Sequence, residues 1–386
     1  MATNVYGNGT TTATAGANTI VHYYDRAGVN AANRVNVFGQ WADRRSMPTK
    51  YGKTFKISRF EHMYDRKLGS SDFATKGFMT ARTADEVSTA LTNAALAEGS
   101  GAVNKRSLTK VTYQTTFARY GEMIDYTDEV DIWSEDYIQV KYREELGELA
   151  NSRMEDLIQL DMLATGTVIY GGDATSKAEI GGTANVDYKV SYDIIRKAVR
   201  RLVRNRAKKN TSIVTGSTKI GTTPIAKAFY AIIGADVKAD LETLIRGTSY
   251  EKEFVYIPAH KYAGAATLAE GEVGAMHEVR FVEAESMVVY AGEGAAVEAD
   301  VNDHLANDGS NINVYPILFP TEGAFATVGL KGYDKIKFNS KSPEMVEIVN
   351  PYGTTGFFSY NFFYAGIILR EEALLKVLVA AGIWAY

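Results

Sequence analysis

An α+β fold is predicted by three features of the chain: a proline-free helical stretch at Ser134–Gly166, two β-rich runs before it that flank a long excursion, and a succession of short strands after it. The 24 tyrosines and 16 phenylalanines against 7 prolines favour aromatic-rich sheet.

The helical stretch organises the rest. Apolar residues recur at steps of three and four as Ile138, Tyr142, Leu146, Leu149, Leu157, Leu160 and Ala164, with Arg153 interrupting the stripe. Ser134 is suited to N-cap the helix, and Glu135 and Asp136 stand in the first turn, where the helix dipole favours anions. Gly166 follows the last periodic residue, where a left-handed cap is expected. Such a helix runs roughly 45 Å. A single stripe without strict heptads predicts a helix lying across a sheet, not a coiled coil. Glu144, Glu145, Glu148, Glu155, Asp156 and Asp161 form its other side, read either as a solvated face or as an acidic face for the basic surface of a neighbouring subunit.

In chain order, residues 1–19 are Gly, Thr, Ala and Asn, too polar to order themselves, and read as an arm. Residues 20–45 mix aromatic and basic groups; a short helix is expected there, ended by Met47-Pro48. Lys53–Phe60 alternates as a strand, and Lys110–Ile124 is a long β-rich run. Between them Ala84–Ala97 is a short helix capped by Thr83 or Asp85. Two strands around a long excursion predict an extended hairpin arm, which would be marginal alone and must lie on another surface.

After the long helix come a strand at Thr167–Tyr170, a glycine-rich loop at Gly171–Ala184, and a helix capped by Ser191 with the stripe Ile194, Ile195, Ala198, Val199, Leu202 and Val203. Arg196 to Lys209 holds eight basic residues and no acid, read as a solvated face, a phosphate contact, or a partner for acidic groups. Strands are expected at Thr211–Thr215, Phe254–Ile257, Val279–Glu283 and Met287–Tyr290, with a helix at Ala235–Leu244. Glu293–Asn311 reads as an exposed acidic loop whose oxygen spacing does not fit a calcium-binding EF-hand. Further strands are expected at Asn313–Phe319, Ala324–Leu330, Lys335–Phe338, Met345–Val349, Phe357–Leu369 and Ala373–Ala381.

The chain is long enough, at 386 residues, for two or three domains. The net charge of −4 gives the whole molecule no electrostatic pull toward nucleic acid. With no cysteine, disulfides, thiolate chemistry and cysteine-bound zinc are excluded. No stretch approaches eighteen consecutive apolar residues, and no basic segment followed by an apolar one opens the chain, so neither a membrane span nor a secretory leader is expected. His22, His62, His260, His277 and His304 are scattered without an i, i+4 pair, so no metal is expected. The loop from Gly216 to Thr223 lacks the Lys-Ser/Thr pair of a phosphate loop, and no nucleophile elbow is present, so no catalytic residue and no cofactor are assigned. An unanchored arm, a hairpin excursion and segregated helix charges describe instead a subunit that needs neighbours.

Leu96-Ala-Glu-Gly99, Leu108-Thr-Lys-Val-Thr and Ala118-Arg-Tyr-Gly121-Glu-Met-Ile-Asp-Tyr-Thr-Asp128 resemble the N4-type major capsid proteins of tailed bacteriophages. The resemblance continues in order through Asp193-Ile-Ile-Arg-Lys-Ala-Val-Arg200 with Asn205, Thr211-Ser-Ile-Val, Gly221-Thr-Thr-Pro224, Asp236-Val-Lys-Ala-Asp240-Leu, Gly271-Glu-Val-Gly274, Val279-Arg-Phe-Val-Glu283, Val314-Tyr-Pro-Ile-Leu318 and Tyr364-Ala-Gly-Ile-Ile-Leu369. It covers roughly residues 48–380 and departs at Glu61–Ala95, at Glu293–Asn311 and over the first forty-odd residues. It implies an HK97-like capsid fold, with an N-terminal arm at 1–48, an extended β-hairpin loop at 49–122, a peripheral domain carrying the spine helix at 123–210 with 331–360 returning to it, and an axial domain at 211–330; residues 361–386 are left unassigned. It further implies self-assembly into hexamers and pentamers of an icosahedral virion shell around double-stranded DNA, in the host cytoplasm, with a portal and any scaffolding or decoration proteins as partners and no membrane.

Expected intersubunit contacts are Phe55, Ile57, Phe60, Tyr113, Phe117 and Tyr120 on the extended loop, and Glu144, Glu148, Arg196, Arg200 and Arg204 on the two charged helices. Two other classes stay open on residues alone: a soluble enzyme or ligand-binding protein with an aromatic-lined site, and a nucleic-acid-binding module using Arg196–Lys209.

Overall fold

The runs that are apolar at every position become interior strands of one sheet, because a strand covered on both faces has no polar side to show. The computed structural model describes residues 36–60, 79–99, 101, 104–105, 107–133, 138–183, 186–210, 227–244, 269, 271–297, 304–307, 309–346 and 350–383. Expectations for the arm at 1–19, the first 35 residues of the implied arm at 1–48, Ser134, the strands at 211–215 and 254–257, the loop at 216–223, His22, His62 and His260 fall outside these residues.

The first half holds a 3-10 turn at Phe38–Trp41, strands β1 (Asp43–Met47) and β2 (Thr54–Phe60), helix α1 (Ala84–Ala94), and strands β3 (Lys110–Thr116) and β4 (Ala118–Thr127). Helices α2 (Asp128–Trp133) and α3 (Ile138–Leu163), strand β5 (Val168–Tyr170) and helix α4 (Tyr192–Arg204) follow. Next come β6 (Phe229–Ile233), α5 (Ala235–Thr243), β7 (Glu272–Met276), β8 (Val279–Glu283), β9 (Ala306–Asn307), β10 (Asn311–Ile312) and β11 (Tyr315–Phe319). The chain closes with β12 (Phe325–Leu330), β13 (Lys337–Lys341), β14 (Thr355–Tyr364), β15 (Gly366–Ile368), a 3-10 turn at Glu371–Ala373 and β16 (Leu375–Val379).

A six-stranded mixed sheet, ordered β5-β16-β11-β6-β8-β7, forms the centre. Phe229, Ala231 and Ile233 of β6 turn to one side, where Ile194, Ile195, Ala198, Val199 and Leu202 of α4 cover them. Tyr230 and Ile232 turn to the other side and join Leu146, Ala150, Ile158, Met162 and Leu163 of α3. Ser191 N-caps α4 by accepting from the Ile194 amide, and the helix ends with Ala207 N donating to the Leu202 carbonyl across a left-handed Arg206.

A second sheet, β13-β14-β4, lies under α3. Along β14 the alternate residues Phe358, Tyr360, Phe362 and Tyr364 are buried against that helix. The third sheet, β1-β12-β15, includes a correction: residues 43–47, expected at the end of a short helix, are a strand running parallel to β12, Asp43 beside Ala326 through Met47 beside Leu330. Pairing with a strand from the far end of the chain overrides the local preference. The hairpin of β2 and β3 is a fourth unit, registered from Thr54–Thr116 to Phe60–Lys110.

Four more expectations change. The run Lys110–Ile124 breaks at Phe117, so that β3 pairs with β2 and β4 with β14. The run Phe357–Leu369 breaks at Ala365, and its two parts enter different sheets. Met287–Tyr290 contributes a single bridge, Tyr290 to Val314, and β7 was not foreseen. The helix α3 does not close on a left-handed glycine: Gly166 is absent from the positive-φ residues and its amide donates to Glu371 Oε1 at 3.1 Å. The end of α3 is capped instead by Lys376, whose ammonium donates to the Leu163 carbonyl at 2.8 Å, a cation where the helix dipole favours one. Burial holds that lysine below its ordinary pKa.

Candidate assembly surface

The hairpin has period-two faces. Phe55, Ile57 and Arg59 on β2 point the same way as Val111, Tyr113 and Thr115 on β3, and Thr54, Lys56, Ser58 and Phe60 point away. The inward face lies on the chain's own body. Phe117 is buried with Met47, Ala326, Val328, Ala365 and Ile367, and Phe55, Ile57 and Tyr113 pack against that cluster. Four of the six apolar contacts expected with a neighbour therefore have their partners within the subunit; alternation identified the apolar side but not the surface beneath it. Of the other two, Phe60 is 61% exposed, and Tyr120 is partly exposed while stacking on Phe362 at 5.9 Å.

The acidic side of α3 is also divided. Glu144 and Glu148 are exposed, Glu144 with Lys141 at 3.1 Å. Glu155 lies seven residues past Glu148 on the same side yet is buried, its carboxylate accepting the amides of Phe38 and Gly39 in the first 3-10 turn. A buried carboxylate requires such donors. The turn that covers α3 at Glu155 does not extend to Glu148. Asp156 stands 3.8 Å from Arg153, which also reaches Glu122 on β4 at 3.0 Å. The apolar stripe rotates along the helix: Leu146 and Ala150, then Ile158, Met162 and Leu163, are buried, whereas Leu160 is 55% exposed.

On α4, Arg196 is exposed beside Asp193 at 3.6 Å, Arg200 is exposed and Arg204 is half-buried. Not all of the basic run is solvated. Arg201 turns inward and donates to the Val168 carbonyl, and burial holds its guanidinium below its ordinary pKa. Lys209 pairs with Glu278 at 3.0 Å.

One surface was missed. At the end of the β13-β14-β4 sheet the Asp128 amide donates to the Thr354 carbonyl, bringing α2 beside the turn before β14. On α2 Trp133 is 82% exposed and Ile132 stands out to solvent, and on the turn side Tyr352 is 89% exposed and Val346 stands out as well. Large exposed apolar groups mark interaction sites. The available signal was Asp128-Glu-Val-Asp-Ile-Trp133, an acidic turn too short to bury its own apolar residues. Among the described residues no group of three His, Asp or Glu could hold a metal, and no helix is long and apolar enough to cross a membrane.

Among solved structures, the capsid of Ralstonia phage GP4 is similar to this chain with a TM-score of 0.61 at 12% identity, covering 95% of this chain and 96% of that one. The fold is that of an HK97-like phage capsid subunit. The capsid asymmetric unit of cyanophage Pam1 agrees, with a TM-score of 0.55 at 11% identity over 97% of this chain and all of that one. By sequence the chain is 29% identical over 382 residues to the major capsid protein of Pseudomonas phage KPP21, covering 94% of each. No protein-family model matches the chain.

Proposed function

We propose that this chain is a major capsid protein of a tailed phage, of the N4-type group, which self-assembles into the hexamers and pentamers of an icosahedral shell enclosing double-stranded DNA. The observation that carries this reading is the end-to-end likeness at 29% identity to the KPP21 protein, over 94% of both chains, on a chain with a capsid fold. Its function is association, not catalysis. The enzyme or ligand-site alternative is disfavoured by β14, whose alternate aromatics are used up in packing against α3.

On this reading residues 49–122 are the extended loop, α3 is the spine of a peripheral domain at 123–210 and 331–360, and residues 211–330 are the axial domain. The contact surfaces are Phe60 and Tyr120, the apolar end at Ile132, Trp133, Val346 and Tyr352, and an acid–base pairing of Glu144 and Glu148 with Arg196, Arg200 and Arg204 of another copy. The packaged DNA, a portal, and any scaffolding or decoration proteins are the remaining partners, with assembly in the host cytoplasm and residence in the virion.

Sedimentation of the expressed chain tests this. Capsomer rings and shells far heavier than a subunit are expected, and Glu144→Lys with Glu148→Lys should weaken them, with recovery on adding Arg196→Glu and Arg200→Glu. A chain that sediments as a monomer at every concentration contradicts the reading.

A further inference from the structure

A two-stranded hairpin has little stability of its own, so what fastens it decides where it points. At its base the Phe117 amide donates to the Lys53 carbonyl at 3.1 Å, and Phe55, Ile57 and Tyr113 rest on the small cluster under it. The other end is fastened differently. Arg59, next to the last residue of β2, gives both guanidinium nitrogens to Glu372, Nη1 to Oε1 at 2.7 Å and Nη2 to Oε2 at 3.3 Å. The same guanidinium lies 5.6 Å from the Tyr113 ring centre.

Glu372 sits in the 3-10 turn between β15 and β16, and its side chain is 4% exposed. Its carboxylate also accepts from Arg370 Nε at 3.3 Å, and its carbonyl accepts from the Asn205 side-chain Nδ2 at 2.9 Å. Asn205, the C-cap of α4, in turn accepts the Met79 amide at 3.1 Å. One buried node thus holds the outgoing hairpin strand, the returning excursion, the end of α4 and the link into the central sheet.

We propose that Arg59, Glu372 and Asn205 are positioning residues for assembly: they fix the angle at which the hairpin leaves the subunit, and so the geometry of its contact with the next copy. This rests on the capsid reading. The lever is long enough to matter, since seven residues of strand span about 23 Å and a tilt of about 10° at the base moves the far end by about 4 Å. The node is also separable from folding. A bidentate guanidinium–carboxylate pair is strongly directional, yet without Arg59 the Glu372 carboxylate keeps Arg370 and is not left buried without a cation.

Hydrogen exchange on the unassembled chain and electron microscopy of its particles test the node together, with Arg59→Ala, Arg59→Lys and Arg370→Ala compared. Arg59→Ala should speed exchange in 54–60 and 110–116 by about tenfold or more, leave the strands at 229–233 and 315–319 unchanged, and scatter particle diameters. Arg59→Lys should fall between Arg59→Ala and the parent. Arg370→Ala, which touches the same carboxylate but not the hairpin, should leave hairpin exchange as it was. Unchanged hairpin exchange in Arg59→Ala, exchange raised equally across the chain, or an unaltered diameter overturns the proposal. If the parent forms no particles, the capsid reading fails, and the exchange comparison still decides whether the node holds the hairpin.

Discussion

The Tyr364 hydroxyl donates to Asp161 Oδ2 at 2.8 Å, joining the end of β14 to the last turn of the long helix. Burial raises the Asp161 carboxyl above the ordinary carboxylate range, with the tyrosine bond opposing it. Burial and the adjacent carboxylate push the tyrosine hydroxyl far above its usual value, so it stays a donor at every working pH. Because the folded state binds the Asp161 proton more tightly than the unfolded chain, this group's stabilisation is complete below the ordinary carboxylate pKa and is lost as pH rises through the raised folded value. Asp161→Asn keeps an acceptor and removes the titration. Its melting temperature relative to the parent should therefore climb as pH rises from below 4 and then level off; a difference independent of pH would contradict this.

Gly121 on β4 faces Asn361 on β14. A Cβ there would stand 2.5 Å from the Tyr360 carbonyl oxygen, an atom held in the ladder. Gly121→Ala should cost roughly 1–3 kcal/mol, read by denaturant unfolding. No loss would mean that the two strands are less tightly paired.

The rotation of the buried side of α3 gives a paired test. Leu146→Ala, in the core, should cost about 2–5 kcal/mol, and Leu160→Ala, exposed, should stay within about 0.5 kcal/mol. A regular stripe of the kind read from spacing predicts similar losses for both.

Ser191 caps α4, whose cap and whose stripe from Ile194 to Leu202 were legible in the sequence, whereas Val203, expected in that stripe, is 54% exposed. Ser191→Ala should lower stability by about 1 kcal/mol, with Ser191→Gly costing less; thermal unfolding of the two variants distinguishes loss of the cap from a general surface effect.

What was readable followed local rules. Thr83, one of the two caps expected for Ala84–Ala97, does cap α1, which ends at Ala94, and β8 coincides with the strand expected at Val279–Glu283. The pairing of Lys53–Phe60 with the strand beginning at Lys110 also followed from composition and alternation. What was hidden depends on distant chain. Nothing local to Asp43–Met47 announces β12 as its neighbour. Phe117 and Ala365 end strands because the partner strand changes there, not because either residue disfavours extended backbone. Glu155 is buried because the turn at Phe38–Trp41 happens to cross it, which spacing along α3 cannot reveal. At the candidate surface, charge runs marked the helices correctly, but only three-dimensional packing separated Arg201, turned inward, from Arg196 and Arg200, exposed.

Self-assembly is tested most directly by cryo-electron microscopy of the purified chain at high concentration. Closed particles or tubes built from rings of this chain are expected, with the hairpin of β2 and β3 reaching the adjacent copy. A uniform monomer across the whole accessible concentration range, or particles in which that hairpin touches no other copy, would contradict it.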